Sequence, residues 1–87
     1  MFASPQQQIQ VALELAQKNE LQKAELICME LHSRHPFLVD NLYLIANIKQ
    51  LMGKKDEARL FAQAGALLSP QSEPLQALLS TLNKEHV

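Results

Sequence analysis

The feature that most constrains this chain is a 34-residue period in its helix-breaking positions. Pro70 follows Pro36 by one such period, and Gly53 follows Asn19 by the same offset. A residue before proline is pushed out of the helical region, and glycine and asparagine best tolerate the left-handed conformation of a turn. Each period is therefore predicted to hold two helices, joined by a turn and ended by a proline. Such hairpins bury their apolar faces by stacking on copies of themselves.

The same offset relates residues inside the two periods. Ala12 corresponds to Ala46 and Ala24 to Ala58, and apolar residues between them recur at helical spacing. We therefore expect an all-α fold of two antiparallel helix-turn-helix repeats plus a terminal helix, in a single domain over 1–87. The predicted helices are 5–18, 21–34, 38–52, 55–68 and 73–84, with repeat 1 at 5–38, repeat 2 at 39–72 and the terminal helix at 73–84.

Two helix starts have specific signals. Ser4 can cap the first helix, Pro5 suits its first turn, and Gln7 stands three residues after the serine, as a capping box requires. Asp56 and Glu57 follow the second turn, where acidic side chains interact favourably with the positive end of a helix. Both features predict helices without implying a binding site.

Composition agrees with this fold class and narrows the partners. The 87 residues are 47% hydrophobic and only 5% aromatic, with two glycines and no tryptophan, which favours helices over a β-sandwich. A net charge of −1 with scattered lysines and arginines provides no basic field for a phosphate backbone, so we expect no nucleic acid partner. A chain this short buries only about 60–65% of its unfolded surface, which favours stabilisation by a protein partner or a second copy.

The sequence also predicts a location. Cys28 is the single cysteine, so no intramolecular disulfide can form, and no basic-then-apolar leader opens the chain. Polar or charged residues interrupt every apolar run before it reaches the length of a membrane span. We therefore expect a cytoplasmic protein with no membrane span.

The 34-residue period and its punctuation resemble the tetratricopeptide repeat family. That family has a large-small pair in the first helix, a glycine at the turn, an alanine after it, a small residue late in the second helix and a proline at the end. The second unit carries this pattern at Ile45-Ala46, Gly53, Ala58, Gly65 and Pro70. The resemblance covers about residues 5–84 and implies a right-handed α-solenoid.

The first unit departs further from the family pattern than the second. It keeps Val11-Ala12, Ala24 and Pro36, but has Asn19 for the turn glycine and Leu31 where a small residue is usual. The family's early tryptophan is absent throughout, and the positions concerned hold Gln8, Leu42 and Gln76. Leu15 and Lys49 stand where a tyrosine usually precedes the turn.

The resemblance implies a concave groove lined by the first helices of the repeats. Carried over by position, the partner-binding residues are Ile9, Leu13, Gln17, Tyr43, Leu44, Asn47, Leu51, Ala77, Leu78 and Thr81. Family members that grip acidic peptide ends use lysine, arginine and asparagine here, and only Asn47 has that character. The implied ligand is an apolar helical or extended segment of a partner protein. The alternative is that Leu13, Leu44 and Leu78 only pack helix to helix.

Two classes of function follow. The first is a protein-binding module, for example a small escort similar in size and plan to the helical-repeat chaperones of type III secretion. The second is a self-associating structural subunit or assembly scaffold. Both rest on the expectation that the terminal helices lack a polar outer face, so that Val11 and Leu15 at one end and Leu79 and Leu82 at the other need cover.

One cluster could carry chemistry. Cys28, His32 and His35 are spaced to meet a zinc ion, with His86 as a distant fourth ligand. Cys28 also falls on the apolar stripe of its helix, where cysteine is commonly a small buried side chain, and we favour that interpretation. The chain has no glycine-rich phosphate loop, no paired catalytic carboxylates and no nucleophile elbow. We expect neither an enzyme nor a bound cofactor or metal.

Overall fold

The computed structural model describes residues 3–84, which form five α-helices and contain no strand. The helices are α1 (Pro5–Gln17), α2 (Leu21–Arg34), α3 (Val39–Leu51), α4 (Lys55–Leu68) and α5 (Glu73–Lys84). The predicted all-α class is confirmed, and each predicted helix boundary lies within one residue of the observed one.

The helices pack in chain order. Each helix packs on the next one along the chain, and α1 also contacts α3. The molecule is elongated, with extents of 45 × 26 × 19 Å. Contacts between successive helices along one direction are those of a solenoid-like arrangement, in which each unit is stabilised by its neighbours.

The capping box at the first helix is confirmed. The Ser4 side chain accepts a hydrogen bond from the Gln7 backbone N–H at 3.2 Å, and the Gln7 side-chain oxygen accepts one from the Ser4 N–H at 2.8 Å. Pro5 is the first helical residue. Two N–H groups that the helix cannot satisfy are thereby paired, which defines where α1 begins.

The two turns share one backbone conformation. Asn19 has φ 64° and Gly53 has φ 81°, both left-handed. The next residues, Glu20 and Lys54, have φ −91° with ψ 66° and 67°, and their N–H groups each donate to the carbonyl five residues back at 2.8 Å. This hydrogen bond is typical of a helix that ends at a residue in the left-handed conformation. The 34-residue period of the sequence is therefore a period of the backbone.

The second helices also end alike. His35 has φ −134° and ψ 75°, and Ser69 has φ −138° and ψ 74°. Each precedes a proline, whose ring excludes the helical conformation at the residue before it. The helices that follow begin one period apart, at Val39 and Glu73.

Substitution at the turns should separate backbone strain from packing. No atom lies within 4 Å of a Cβ built on Gly53, so Gly53→Val meets no steric contact and only has to adopt positive φ. We expect a loss of about 1–2 kcal/mol in the free energy of unfolding, measured by urea denaturation. Asn19→Gly should be neutral or mildly stabilising, because glycine adopts this conformation more easily. If Gly53→Val is as stable as the wild type, the prediction of backbone strain at this turn is wrong.

The core lies where small residues let helices approach. Ala12, Ala24, Ala46, Ala58 and Ala62 are all fully buried. One cluster joins the first hairpin to α3, and a second joins the second hairpin to α5. Because alanines recur at equivalent positions of the two hairpins, both hairpins can close to a similar distance.

The terminal helices differ from what the sequence suggested. Leu82 is fully buried in the second core cluster, and Leu79 packs partly buried against it. In α1, Leu15 is half-buried and Val11 stays exposed. The prediction that Leu82 needs cover from another molecule is therefore wrong, since α4 and α3 already supply it.

The repeat register explains this difference. In α3, the positions facing the first hairpin are Asn41, Leu44 and Ile48. One period later, in α5, the residues at the matching positions are apolar and buried. One period earlier, in α1, the residues at the matching positions are polar and exposed. These residues are Leu75, Leu78 and Leu82 in α5, and Gln7, Gln10 and Glu14 in α1. The outer face of α1 is therefore largely polar, as a solvent-facing end of a solenoid requires.

Candidate functional site

A groove of about 560 Å³ lies between α1 and α3. We call it the α1–α3 groove. Both helices contribute to it, α1 with four residues and α3 with six. The lining consists of Ile9, Leu13, Ala16, Gln17, Asp40, Tyr43, Leu44, Asn47, Ile48 and Leu51. Such a volume lies within the range of ordinary ligand pockets.

Seven of the ten residues expected to bind a partner line this groove, and three do not. The seven are Ile9, Leu13, Gln17, Tyr43, Leu44, Asn47 and Leu51. Leu78 is instead buried in the second core cluster. Ala77 and Thr81 are exposed on α5, where the Thr81 hydroxyl donates to the Ala77 carbonyl at 3.1 Å. The ten residues expected to form one site therefore lie on separate surfaces, because the apolar face of α5 packs into the core.

Sequence reasoning missed three lining residues: Ala16, Asp40 and Ile48. Helical spacing could have identified Asp40, since it precedes Tyr43 by three residues and Leu44 by four on the same face of α3. Its acidic type made a role at the helix start the simpler interpretation.

Two leucines of the groove remain open to solvent. Leu51 is 66% exposed and Leu13 is 37% exposed, while Leu44 beneath them is buried. Isolated exposed leucines are normal on a folded surface, but here they lie beside a concave apolar lining. The groove therefore offers apolar area that the folded chain leaves uncovered.

Asn47 is fixed by its own helix. Its Nδ2 donates to the Tyr43 carbonyl at 2.9 Å, one turn back. A carbonyl oxygen can only accept, so the nitrogen of the amide is the atom that faces it, and the Asn47 Oδ1 remains a hydrogen-bond acceptor. Asn47 and Tyr43 are both half-buried. Both lie along α3 between Asp40 and Leu51, in a lining whose other polar residues are Asp40 and Gln17.

A second apolar cleft, of about 450 Å³, lies along α4 beside the end of α2. We call it the α2–α4 cleft. Its lining is His32, Pro36, Phe37, Leu42, Leu60, Phe61, Ala64, Leu67 and Leu68. Phe37 is 75% exposed and Leu67 is 83% exposed. This surface has no continuous signature in the sequence, because its residues come from four separate segments.

A cluster of charged groups joins three helices behind the groove. Lys49, 5% exposed, pairs with Glu25 of α2 and with Glu57 of α4, the latter at 2.9 Å. Burial acts to lower the pKa of Lys49, but the hydrogen bonds to the two carboxylates outweigh it and raise that pKa. The hydrogen bond from Lys49 lowers the pKa of Glu25. The cluster links α2, α3 and α4, and none of Glu25, Lys49 and Glu57 is among the residues that line the groove.

The cysteine and histidines do not converge. Cys28 is buried, and burial raises the pKa of its thiol to about 12, so it is neither a thiolate ligand nor a nucleophile at neutral pH. His32 packs edge-on against Phe61 with ring centroids 5.4 Å apart, and His35 is exposed. Within residues 3–84 no group of three or more His, Cys, Asp or Glu side chains could hold a metal ion. His86 lies outside the described residues.

The sequence matches no protein-family model and no curated protein. Between residues 3 and 84, every helix is too short or too polar to cross a membrane. What the chain does is therefore inferred from the chemistry of the α1–α3 groove and the α2–α4 cleft.

Proposed function

We propose that this chain is a non-enzymatic interaction module of tetratricopeptide type that binds an apolar segment of a partner protein in the α1–α3 groove, as a small escort does. The observation that carries the proposal is the groove itself: a concave, largely apolar lining with Leu13 and Leu51 left exposed. An exposed apolar concavity on a folded chain is typical of a binding surface.

The backbone period supports the family part of the proposal. Turns at Asn19 and Gly53, and helix ends at His35 and Ser69, repeat their dihedral angles after one period. That is the period of the family, with the glycine-type turn and the proline end where the family has them. The missing tryptophan leaves a smaller side chain at each corresponding position.

The groove favours a helical occupant over an extended one. Its walls are two α-helices, whose backbone N–H and C=O groups are already paired along each helix. The walls therefore offer no strand edge, and an extended segment would leave its own backbone groups unpaired against apolar side chains. A helix satisfies its backbone internally and presents one apolar stripe. The partner segment is therefore an amphipathic helix.

The alternative function is a self-associating subunit. Terminal helices are a weaker basis for it than expected, because Leu82 is buried and α1 is polar on its outer face. The α2–α4 cleft is the surface on which self-association would now rest, through Phe37 and Leu67. A concentration-dependent dimer by sedimentation, abolished by Phe37→Ser, would favour this alternative.

The groove can be tested with a defined probe. The probe is a blocked helical peptide of about fourteen residues, close to the length of α1, with a leucine stripe and no charge. The Tyr43→Ala, Asn47→Asp double variant removes the central aromatic contact and places a charge where an apolar stripe would lie. We expect peptide affinity, measured by fluorescence anisotropy, to fall at least tenfold, or about 1.4 kcal/mol. Circular dichroism should change little, and the melting temperature should fall because Tyr43 also packs against the second core cluster, so affinity is measured at a temperature where both proteins are folded.

The matched control is Phe37→Ser, which removes a large exposed side chain outside the groove. It should leave peptide affinity unchanged. Wild-type affinity in the double variant would contradict the groove as the binding site. A loss confined to the Phe37 variant would assign the peptide to the α2–α4 cleft instead.

A further inference from the structure

We propose that the helix accepted by the α1–α3 groove carries a basic side chain at one end of its apolar stripe, and that Asp40 pairs with it. This inference rests on the proposed function and specifies the chemistry of the partner. It comes from the polar groups of the groove, which are few: Asp40 is the one charged side chain in the lining, and Gln17, Tyr43 and Asn47 are the neutral polar ones.

Asp40 is the one carboxylate in the lining, and it is exposed. It lies at the second residue of α3, so it stands at one end of the groove. The other end is formed by Gln17 and Leu51, the last residues of α1 and α3, and Lys18 follows Gln17 there. The groove lining therefore has a carboxylate at one end and no charged side chain at the other, where Lys18 lies outside the lining and interacts with Glu20. A complementary helix has its positive charge at the Asp40 end.

A second acceptor lies two helical turns along. Asn47 follows Asp40 by seven residues, which is about 10.5 Å along the axis of α3. Because the Asn47 amide nitrogen donates to the Tyr43 carbonyl at 2.9 Å, its free oxygen is an acceptor. An occupant gains from donors at both points, and an ammonium or guanidinium group carries donors only.

The competing explanation is that Asp40 merely stabilises the start of α3. Acidic side chains do favour the first turn of a helix. The repeat does not require one here, however: the matching positions one period away are Gln6 and Pro74. The first turn of α1 contains no acidic residue at all. Of the two helices that line the groove, only α3 has an acidic residue in its first turn, and Glu73, the first-turn acid of α5, lies outside the lining.

Three versions of the leucine-stripe peptide test the proposal. They are identical except for one residue at the end of the stripe, which is lysine, glutamine or glutamate. At low ionic strength the chain of residues 1–87 should bind the lysine peptide about three- to fivefold more tightly than the glutamine peptide, and the glutamate peptide less tightly than either. The preference should shrink when salt is raised, because the pair is exposed.

Variants of the chain assign the preference to one side chain. Asp40→Asn should equalise the three peptides, and Asp40→Lys should reverse their order. Glu73→Gln is the matched control: it removes one first-turn acid of another helix and the same net charge, and should keep the lysine preference. A purely structural Asp40 would change melting temperature without changing the order of the peptides.

Two results would overturn the proposal, and they differ in what else they overturn. If the wild-type chain binds all three peptides equally, or Asp40→Lys keeps the lysine preference, the groove binds apolar helices without discriminating between peptides of different charge. If none of the peptides binds, the groove is not a site for apolar helices, and the proposed function is wrong as well.

Discussion

Replacing Gly65 by leucine should lower the free energy of unfolding by about 3 kcal/mol, through overpacking. A Cβ built on Gly65 would lie 3.0 and 3.1 Å from the two methyl carbons of Leu75 and 3.6 Å from the Cβ of Leu42. Leu75 is almost fully buried, so its methyls cannot turn into solvent. The longer leucine side chain must push α5 away from α4. Denaturant unfolding measures the loss.

The first repeat indicates a compensating change. Leu31 and Asn41 are both buried and lie one period before Gly65 and Leu75. At the first interface the large residue, Leu31, is on the second helix of the repeat and the smaller one, Asn41, is on the next helix. At the second interface the small residue, Gly65, is on the second helix and the large one, Leu75, is on the next. Asn41 also donates to the Cys28 carbonyl at 3.0 Å, which satisfies its amide nitrogen.

The Gly65→Leu, Leu75→Asn double variant should therefore be more stable than the sum of its single changes predicts, by about 1–3 kcal/mol. The new asparagine would find the Ala62 carbonyl where Asn41 finds that of Cys28. Gly65→Ala is the mild control. Its Cβ requires Leu75 to move by only a few tenths of an ångström, and the higher helix propensity of alanine opposes the cost of that movement. Strict additivity of the two single changes would show that the two interfaces are not equivalent.

Replacing Glu25 by glutamine should destabilise the fold by about 2 kcal/mol at neutral pH. Lys49 is buried between α2, α3 and α4, and Glu25 is its more buried partner, with a side chain only 17% exposed. Removing that charge leaves the ammonium group to Glu57, which is half exposed. A buried charge that loses a partner retains its desolvation penalty. Urea denaturation of both proteins gives the difference.

The difference should depend on pH in one direction. The pKa of Glu25 is lowered in the folded state, first by its hydrogen bond with Lys49, from an ordinary value of 4.5. Its stabilisation is therefore complete above about pH 5 and is lost as the pH falls through the folded pKa. The wild type and Glu25→Gln should converge in acid. Parallel stability curves down to the acid limit would contradict this linkage.

Glu30→Gln is the matched control on the same helix. Glu30 pairs with Arg34 at 2.6 Å, but both side chains are about half exposed. Exposed pairs of this kind contribute little, so we expect a change below about 0.5 kcal/mol. A similar loss at Glu30 and Glu25 would mean that burial does not set the strength of the Lys49 cluster.

The sequence by itself determined the helices and their period. Turn residues and prolines act locally: Gly53 adopts positive φ because it has no Cβ, Asn19 does so because asparagine tolerates this conformation, and Pro36 and Pro70 exclude the helical conformation at the residue before them. These effects depend on a few adjacent residues. The boundaries of the five helices could therefore be predicted to within one residue. The repeat offset also predicted that Tyr43 and its neighbours share one face of α3.

Tertiary structure alone decided which apolar stripe is covered. The sequences of α1 and α5 are both amphipathic, but Leu82 is buried and Val11 is exposed. Burial depends on whether a neighbouring helix lies against that face. For the same reason Lys49, a charged residue in a helical stripe, would be expected at the surface until α2 and α4 bring Glu25 and Glu57 to it. The groove likewise exists only because α1 and α3 pack beside each other, and the place of Asp40 at its end depends on that packing.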